Sequence, residues 1–176
     1  MSLPLVSDSP TTTRAVGAAL AAALRPGDVV VLAGELGAGK TCLVQGLAAA
    51  LGHEDRVTSP TFLLARRLGT VPPVVHADAW RLDRVGDLLD LGDELLDDDV
   101  VTVLEWGDAV SEVLPDDRLV LDLVIDGDLL ASTPADAADA SRTITCTGHG
   151  AWGDRLAVLS DDLRAAAAAP PDPEPT

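Results

Sequence analysis

Three short apolar runs along the chain predict the strands of a buried sheet. They occupy residues 28–33 (DVVVLA), 74–79 (VVHADA) and 100–106 (VVTVLEW). The first run has no polar alternation, which is typical of a strand that is buried on both faces of a parallel sheet. We therefore expect a sheet whose centre is parallel.

Segments with helical periodicity lie between and around these runs. Three threonines at positions 11–13 are candidate N-caps of a first helix, which ends at Arg25-Pro26-Gly27. A second helix follows a glycine-rich loop, and a last helix begins near Ala151. Residues 83–99 are rich in aspartate but carry leucines at helical spacing, which predicts a solvated helix and its exit loop.

Two further β-type runs, residues 118–125 and 142–147, flank a loop of small residues, and we expect them to pair antiparallel at one sheet edge. The alternation of strands and helices predicts an α/β domain. It would have three layers, with a central, mostly parallel sheet and antiparallel edge strands. The stretch GELGAGKT at residues 34–41, between a predicted strand and a predicted helix, makes the expected fold P-loop NTPase-like. Residues 1–166 are expected to form this single domain. Residues 167–176 are rich in Ala and Pro and are predicted to be disordered.

Composition and charge reduce the number of function classes that fit the chain. The formal charge is −17, and the arginines never form a cluster larger than Arg66-Arg67. A protein that grips a nucleic-acid backbone needs a basic face, so strong direct binding of nucleic acid by this chain alone is not expected. A basic protein partner suits the charge better. No apolar run reaches the roughly 18 residues of a membrane span, and no secretory signal begins the chain, so a cytoplasmic location is expected.

One motif carries specific chemistry. The stretch GELGAGKT, residues 34–41, fits G-x-x-x-x-G-K-[ST] and stands between a predicted strand and an amphipathic helix, as the motif requires. The N–H groups of such a loop converge on phosphate oxygens at the positive end of a helix. Thr41 would supply a hydroxyl to Mg²⁺. Lys40, the only lysine in the chain, would reach the β and γ phosphates, where the broad fork of an arginine is no substitute.

Two carboxylates are candidates for the metal side of the site. A P-loop enzyme needs an acidic residue at the end of a neighbouring strand. Glu105 follows an almost entirely apolar run and is the better candidate by local sequence. Asp78 is the other, on the same strand face as His76. The loop of residues 57–62 (VTSPTF) adds the hydroxyls of Ser59 and Thr61. The sequence leaves open which carboxylate contacts the metal directly.

Four motifs follow one another at characteristic spacing: GELGAGKT (34–41), TSPTF (58–62), HADAWRL (76–82) and LEWGD (104–108). Together they resemble the bacterial TsaE family, small ATPases that serve the formation of N6-threonylcarbamoyladenosine at position 37 of ANN-decoding tRNAs. The similarity covers about residues 11–147. It implies an ATPase with ATP and Mg²⁺ as ligands, which binds a TsaB–TsaD protein pair. Hydrolysis would be slow alone and stimulated by these partners, and TsaD would perform the transfer.

The resemblance also implies roles for individual residues. The phosphates would be held by the loop residues Glu35, Leu36, Gly37, Ala38, Gly39, Lys40 and Thr41. Thr41 and Glu105 would hold the Mg²⁺. Asp78, Lys40 and Thr61 would act in hydrolysis. Trp106 would lie beside the nucleotide, and Arg142 would approach its base. Trp80 departs from the family pattern, since it stands where H-x-D-x-Y-R-L has tyrosine.

A small-molecule P-loop kinase is the main alternative. Such kinases usually have an arginine-rich lid and a basic acceptor site, and no such cluster occurs in the sequence. A GTPase is less suitable still, because the chain contains no asparagine and therefore lacks the Asn-Lys-x-Asp guanine motif. A nucleotide-gated binding module without hydrolysis is a third class, since no residue is an unmistakable general base.

Overall fold

The computed structural model describes residues 1–60, 65–79, 96–106, 114–127 and 140–169. Within these ranges the chain forms seven strands and three helices. The strands are β1 Ser2–Ser7, β2 Val29–Ala33, β3 Ala65–Leu68, β4 Val74–Asp78, β5 Val101–Glu105, β6 Leu119–Ile125 and β7 Arg142–Gly148. The helices are α1 Pro10–Ala21, α2 Lys40–Ala50 and α3 Trp152–Ala167.

All seven strands join one sheet in the order β1-β7-β6-β2-β5-β4-β3. The central strands β6, β2, β5 and β4 pair in parallel. Antiparallel pairs add β7 and β1 on one side and β3 on the other. The predicted α/β fold, with a mostly parallel centre and antiparallel outer strands, is confirmed. The predicted antiparallel pairing of β6 with β7 is also confirmed. The expected edge position of this pair was wrong, because β1 pairs with β7 and forms the edge.

Alternate residues of the central strands enter two hydrophobic clusters on opposite faces of the sheet. Val30 and Leu32 of β2 belong to the larger cluster, which also contains the apolar faces of α1, α2 and α3. Val29 and Val31 belong to a smaller cluster with residues of β4 and β5. The three described helices therefore cover one face. The acidic helix predicted for residues 83–99 lies almost entirely outside the described residues, so the layer on the second face stays a prediction.

Helix α1 begins earlier than the sequence analysis expected. Its N-cap is Ser9, whose side-chain oxygen accepts a hydrogen bond from the Thr12 amide at 3.1 Å. Pro10 is the first helical residue, where its missing N–H has no intrahelical partner to lose. The prediction that the threonines at positions 11–13 cap this helix was therefore wrong.

Helices α1 and α2 meet in backbone contact at two glycines. A Cβ atom on Gly46 would lie 1.9 Å from the carbonyl oxygen of Arg14, and one on Gly17 would lie 2.1 Å from the carbonyl oxygen of Leu43. Neither position has room for a larger residue. Because α2 begins at Lys40, this contact fixes the helix that carries the predicted phosphate-binding side chains.

An ion pair attaches helix α3 to the start of β2. The Arg155 guanidinium donates to both carboxylate oxygens of Asp28 at 2.6 Å. It also lies over the ring of Trp152, 3.7 Å from the centroid. Asp28 in turn accepts a hydrogen bond from the backbone amide of Arg25. The pair closes the sheet end opposite to the one at which the glycine-rich loop lies.

Strands β1 and β3 were not predicted from the sequence, and the prediction of a disordered tail stays a prediction. Strand β1 is an edge strand with Pro4 at its centre, and β3 has only four residues. The helix α3 continues to Ala167, and residues 170–176 lie outside the described part, so the disordered tail remains a prediction. None of the helices in the described ranges combines the length and apolar character needed to cross a membrane.

Candidate functional site

The glycine-rich loop joins the end of β2 to the start of α2. Strand β2 ends at Ala33, and α2 begins at Lys40 with Gly39 as its N-cap. The φ angles of Gly37 and Gly39 are 84° and 105°, which side-chain-bearing residues rarely adopt. At Gly39 a Cβ atom would also lie 2.6 Å from Nη1 of Arg142. The loop leads directly into the N-terminus of α2, whose partial positive charge favours a phosphate.

Lys40 is folded over the loop that precedes it. Its ammonium donates to the carbonyl oxygens of Gly34 and Glu35 at 2.7 and 2.9 Å. It also lies 3.8 Å from the ring centroid of Trp106. Only 5% of Lys40 is exposed. The side chain of the only lysine in the chain is thus held against the loop, where its ammonium could reach a bound phosphate.

A chain of hydrogen bonds runs from the start of α2 into the floor of the sheet. The Thr41 hydroxyl donates to Oε1 of Glu105 at 3.0 Å. The same Oε1 lies 2.9 Å from Nε2 of His76. Glu105 is 3% exposed and His76 is 1% exposed. Thr41 and Glu105, which the sequence analysis assigned to the metal, are therefore in direct contact.

Asp78 lies beside Glu105 at the carboxyl ends of two parallel strands. The register pairs Asp78 of β4 with Glu105 of β5, and both residues are buried. Both line a cavity of about 610 Å³, together with Leu36, Gly37, Gly39, Lys40, Thr41, Cys42, Ser59 and Trp106. This volume is typical of a small-ligand site. The ammonium lies on the loop side of the cavity and the carboxylates lie on the strand side.

The donor set fits Mg²⁺. The hydroxyl of Thr41 and the carboxylates of Asp78 and Glu105 are hard oxygen ligands. Among the described residues no group of three or more His, Cys, Asp or Glu side chains could enclose a metal. Magnesium does not need such a group, since it is usually bound by one or two protein oxygens, by waters and by the phosphates of its substrate. Thr41 and Glu105 remain the predicted ligands, and Asp78 beside them could also hold the metal or its waters.

Trp106 follows β5 in a strained backbone conformation. Its φ angle is 61°, and it is the only residue other than glycine with positive φ in the described part of the chain. Its amide still donates to the carbonyl of Leu32 at 2.9 Å. Such a conformation costs on the order of 1–3 kcal/mol, and it is commonly found where a residue must be aimed at a ligand. Here it places the indole ring against Lys40.

Arg142 lies beneath the glycine-rich loop. It is 2% exposed, and its Nη1 donates to the carbonyl of Ala38 at 3.2 Å while its Nη2 donates to the carbonyl of Ala140 at 2.8 Å. It is not among the residues that line the cavity. In this structure Arg142 supports the loop from behind, and its predicted approach to a nucleotide base stays a prediction.

Most of the predicted site residues come together at this cavity. Those that line it are Leu36, Gly37, Gly39, Lys40, Thr41, Asp78, Glu105 and Trp106. Glu35 is exposed and contributes its carbonyl to Lys40, whereas Ala38 is buried. Thr61 lies outside the described residues, although Ser59 of the same loop lines the cavity.

Two residues of the site were not assigned from the sequence. Cys42 lines the cavity next to Thr41, and His76 contacts Glu105. The period-two alternation of β4 places His76 on the face of Asp78, and this was the available signal. Burial raises the pKa of the Cys42 thiol, and the charges of Arg14 and Arg142 partly offset that effect.

Comparison with known protein families identifies the chain. The family model described as "Threonylcarbamoyl adenosine biosynthesis protein TsaE" matches residues 7–129, which contain the loop and both carboxylates. The chain belongs to the TsaE family. This family serves the biosynthesis of threonylcarbamoyladenosine in tRNA, and its members have a P-loop NTPase-like fold.

Individual TsaE relatives match most of the chain. A "tRNA threonylcarbamoyladenosine biosynthesis protein TsaE" from Streptomyces coelicolor is 46% identical over 143 residues, which are 78% of this chain and 90% of that protein. The TsaE protein of Bacillus subtilis is 36% identical over 156 residues, 88% of this chain and 89% of that one. The crystal structure of YdiB from Bacillus subtilis superposes with a TM-score of 0.69 at 31% identity. It covers 93% of this chain and 94% of that chain.

Proposed function

We propose that this protein binds ATP·Mg²⁺ in the cavity between the glycine-rich loop and the ends of β4 and β5, and hydrolyses the ATP. The hydrolysis would support a TsaB–TsaD protein pair in forming N6-threonylcarbamoyladenosine on tRNA, in the cytoplasm. The observation that carries the proposal is the meeting, in one cavity, of Lys40 and Thr41 with Asp78 and Glu105. These are the groups that an enzyme of phosphoryl transfer needs.

Each group has a distinct task in this proposal. The amides of the loop hold the phosphates, and the Lys40 ammonium exchanges its carbonyl partners for phosphate oxygens. Thr41 and Glu105 hold the metal, which would neutralise the charge that develops between the β and γ phosphates. Asp78 lies next to Glu105 and can orient the attacking water or the metal's waters. The indole of Trp106 covers the loop side of the cavity.

The charge of the chain supports a protein partner over direct capture of tRNA. With a formal charge of −17, the protein repels a polyanion such as tRNA, most strongly within about 10 Å of its surface. A basic surface on another protein would be attracted. We therefore propose that the TsaB–TsaD pair holds the tRNA and that contacts with this pair complete the hydrolytic site.

ATP turnover with and without the purified TsaB–TsaD pair tests the proposal. The expected result is slow turnover alone, faster turnover with the pair, and loss of both rates in Lys40→Ala. Asp78→Asn should bind ATP but hydrolyse it slowly, which separates binding from hydrolysis. Turnover that the pair leaves unchanged, together with phosphate transfer to a small acceptor, would instead support a kinase.

A further inference from the structure

His76 is a buried polar residue that the proposed hydrolysis does not use. It lies in the middle of β4, between Val75 and Ala77, and is 1% exposed. A histidine at such a position would cost free energy if it made no hydrogen bond. Its hydrogen bond goes to Oε1 of Glu105 on the neighbouring strand, at 2.9 Å. The ring is therefore directed at the carboxylate that lines the cavity.

The arrangement around Glu105 orients the carboxylate. Its Oε1 receives the Thr41 hydroxyl from the side of α2 and the His76 ring from within the sheet. An ionised carboxylate has no proton to share, so the proton in the contact with His76 is carried by Nε2 of the ring. Within the described residues, the hydrogen bonds from Thr41 and His76 to Glu105 both end on Oε1. They leave Oε2 of Glu105 for other ligands.

The hydrogen bond from His76 to Glu105 is of the kind that holds a metal-binding carboxylate in place, rather than one that only satisfies a polar group in the core. A carboxylate that binds a metal is usually held by a further hydrogen bond, and loss of that support typically lowers metal affinity by about 10–100-fold. Thr41 cannot provide the support alone, because its hydroxyl is itself a proposed ligand of the metal. His76 does not itself line the cavity, and it contacts the lining residue Glu105 from within the sheet.

We propose that His76 is a positioning residue for the metal ion. Its Nε2–H fixes the rotamer of Glu105, so that Oε2 is presented to Mg²⁺ or its waters while Thr41 turns from Glu105 to the metal. The inference rests on the proposed binding of ATP·Mg²⁺. It predicts an effect on the metal that is separate from any effect on the nucleotide.

Two nearly isosteric variants test this role. His76→Gln keeps a donor that can reach Glu105, whereas His76→Met has similar length and no donor. Arg155→Ala, which removes the ion pair to Asp28 at the end of the sheet opposite to the loop, is the control for general destabilisation. The measurement is Mn²⁺ binding by electron paramagnetic resonance in the presence of a non-hydrolysable ATP analogue. Binding of the same analogue in EDTA is measured in parallel.

We expect His76→Met to raise the half-saturating Mn²⁺ concentration about 10-fold or more, with unchanged affinity for the analogue in EDTA. His76→Gln should return the value to within about 3-fold of wild type, and Arg155→Ala should not move it. Equal shifts in the Gln and Met variants, or an equal loss of affinity in EDTA, would overturn the inference. If His76→Met does not fold, His76→Asn serves in its place, because its amide is one methylene too short to reach Glu105.

Binding of the analogue and Mn²⁺ by the wild-type protein distinguishes failure of the proposed function from failure of the proposed role of His76. Failure of the wild-type protein to bind the analogue with Mn²⁺ would contradict the proposed function itself. Tight binding by wild type together with the same Mn²⁺ requirement in His76→Met would contradict only the role of His76.

Discussion

The contact between α1 and α2 allows a sharp test of how the fold positions the site. Gly46→Ala would add a Cβ atom 1.9 Å from the Arg14 carbonyl oxygen and 2.6 Å from the Arg14 carbonyl carbon and Cα. Non-bonded heavy atoms prefer about 3.5–4.0 Å. All three atoms belong to the backbone, so no rotamer change relieves the contact. The two helices must move apart by about 1 Å or more.

The expected cost follows from two opposed effects. Overpacking a closed contact costs about 1–3 kcal/mol, sometimes more. Replacing a helical glycine by alanine recovers up to about 1 kcal/mol. Since the clash is with backbone, we expect the upper part of the range and a net destabilisation of about 2 kcal/mol. For a chain of this size that corresponds to a melting temperature roughly 4–8 °C lower. The displacement also moves Lys40 and Thr41, and binding sites tolerate only about 0.5 Å of misplacement.

Gly153→Ala is the matched control. Gly153 is also helical, in α3, but the nearest atom to its added Cβ would be 3.8 Å away. This variant should be neutral or more stable by up to about 1 kcal/mol. Thermal unfolding followed by circular dichroism, with ATP·Mg²⁺ titrated into each variant, measures both effects. If Gly46→Ala melts at or above the wild-type temperature and binds ATP normally, the helices do not meet in backbone contact and the reasoning fails.

Three further predictions concern side chains around the site and the fold. Arg142→Met should weaken ATP binding about 10-fold, because the lost hydrogen bond to a loop carbonyl comes from a charged donor; unchanged calorimetric titrations would argue against its support of the loop. Burial raises the pKa of Cys146 to about 12, and it also raises the pKa of Cys42. Because little thiolate exists at neutral pH, both thiols should react slowly with Ellman's reagent, and the reaction should become faster as the pH rises. Rapid reaction of Cys146 in the folded protein would contradict its burial. Arg155→Ala should destabilise the protein by about 1–3 kcal/mol in urea unfolding, since it leaves the carboxylate of Asp28 without its bidentate partner; an unchanged midpoint would count against that.

The centre of the fold could be predicted from the sequence because its signals are local. Strand β2, the glycine-rich loop and α2 are consecutive, and each has its own pattern of apolar residues or glycines. The edge of the sheet could not be predicted in the same way. Strand β1 depends on pairing with β7, which lies more than a hundred residues later, and its central Pro4 is tolerated only because the strand is at an edge.

The residues of the site also fall into two groups, those with a local sequence signal and those placed by long-range contacts. Lys40 and Thr41 are fixed by their motif, and Glu105 by the strand that it ends. The contact of His76 with Glu105 joins side chains from two neighbouring strands, and no spacing in the sequence reveals it. The contact of Arg142 with the carbonyl of Ala38 likewise joins residues far apart in the chain, and the expected approach of Arg142 to the nucleotide base stays a prediction. Such long-range contacts depend on tertiary packing, which the sequence pattern does not encode locally.

The central claim is that Lys40 binds the phosphates of ATP as a compact ammonium. Isothermal titration of ATP·Mg²⁺ into wild type, Lys40→Met and Lys40→Arg tests it most directly. A lost hydrogen bond to a charged phosphate costs about 1.5–3 kcal/mol, so we expect the Met variant to bind roughly 10–100-fold more weakly. The Arg variant should not recover wild-type affinity, because its fork is too broad for the folded position over the loop. Wild-type affinity in Lys40→Met would contradict the assignment of this cavity to ATP.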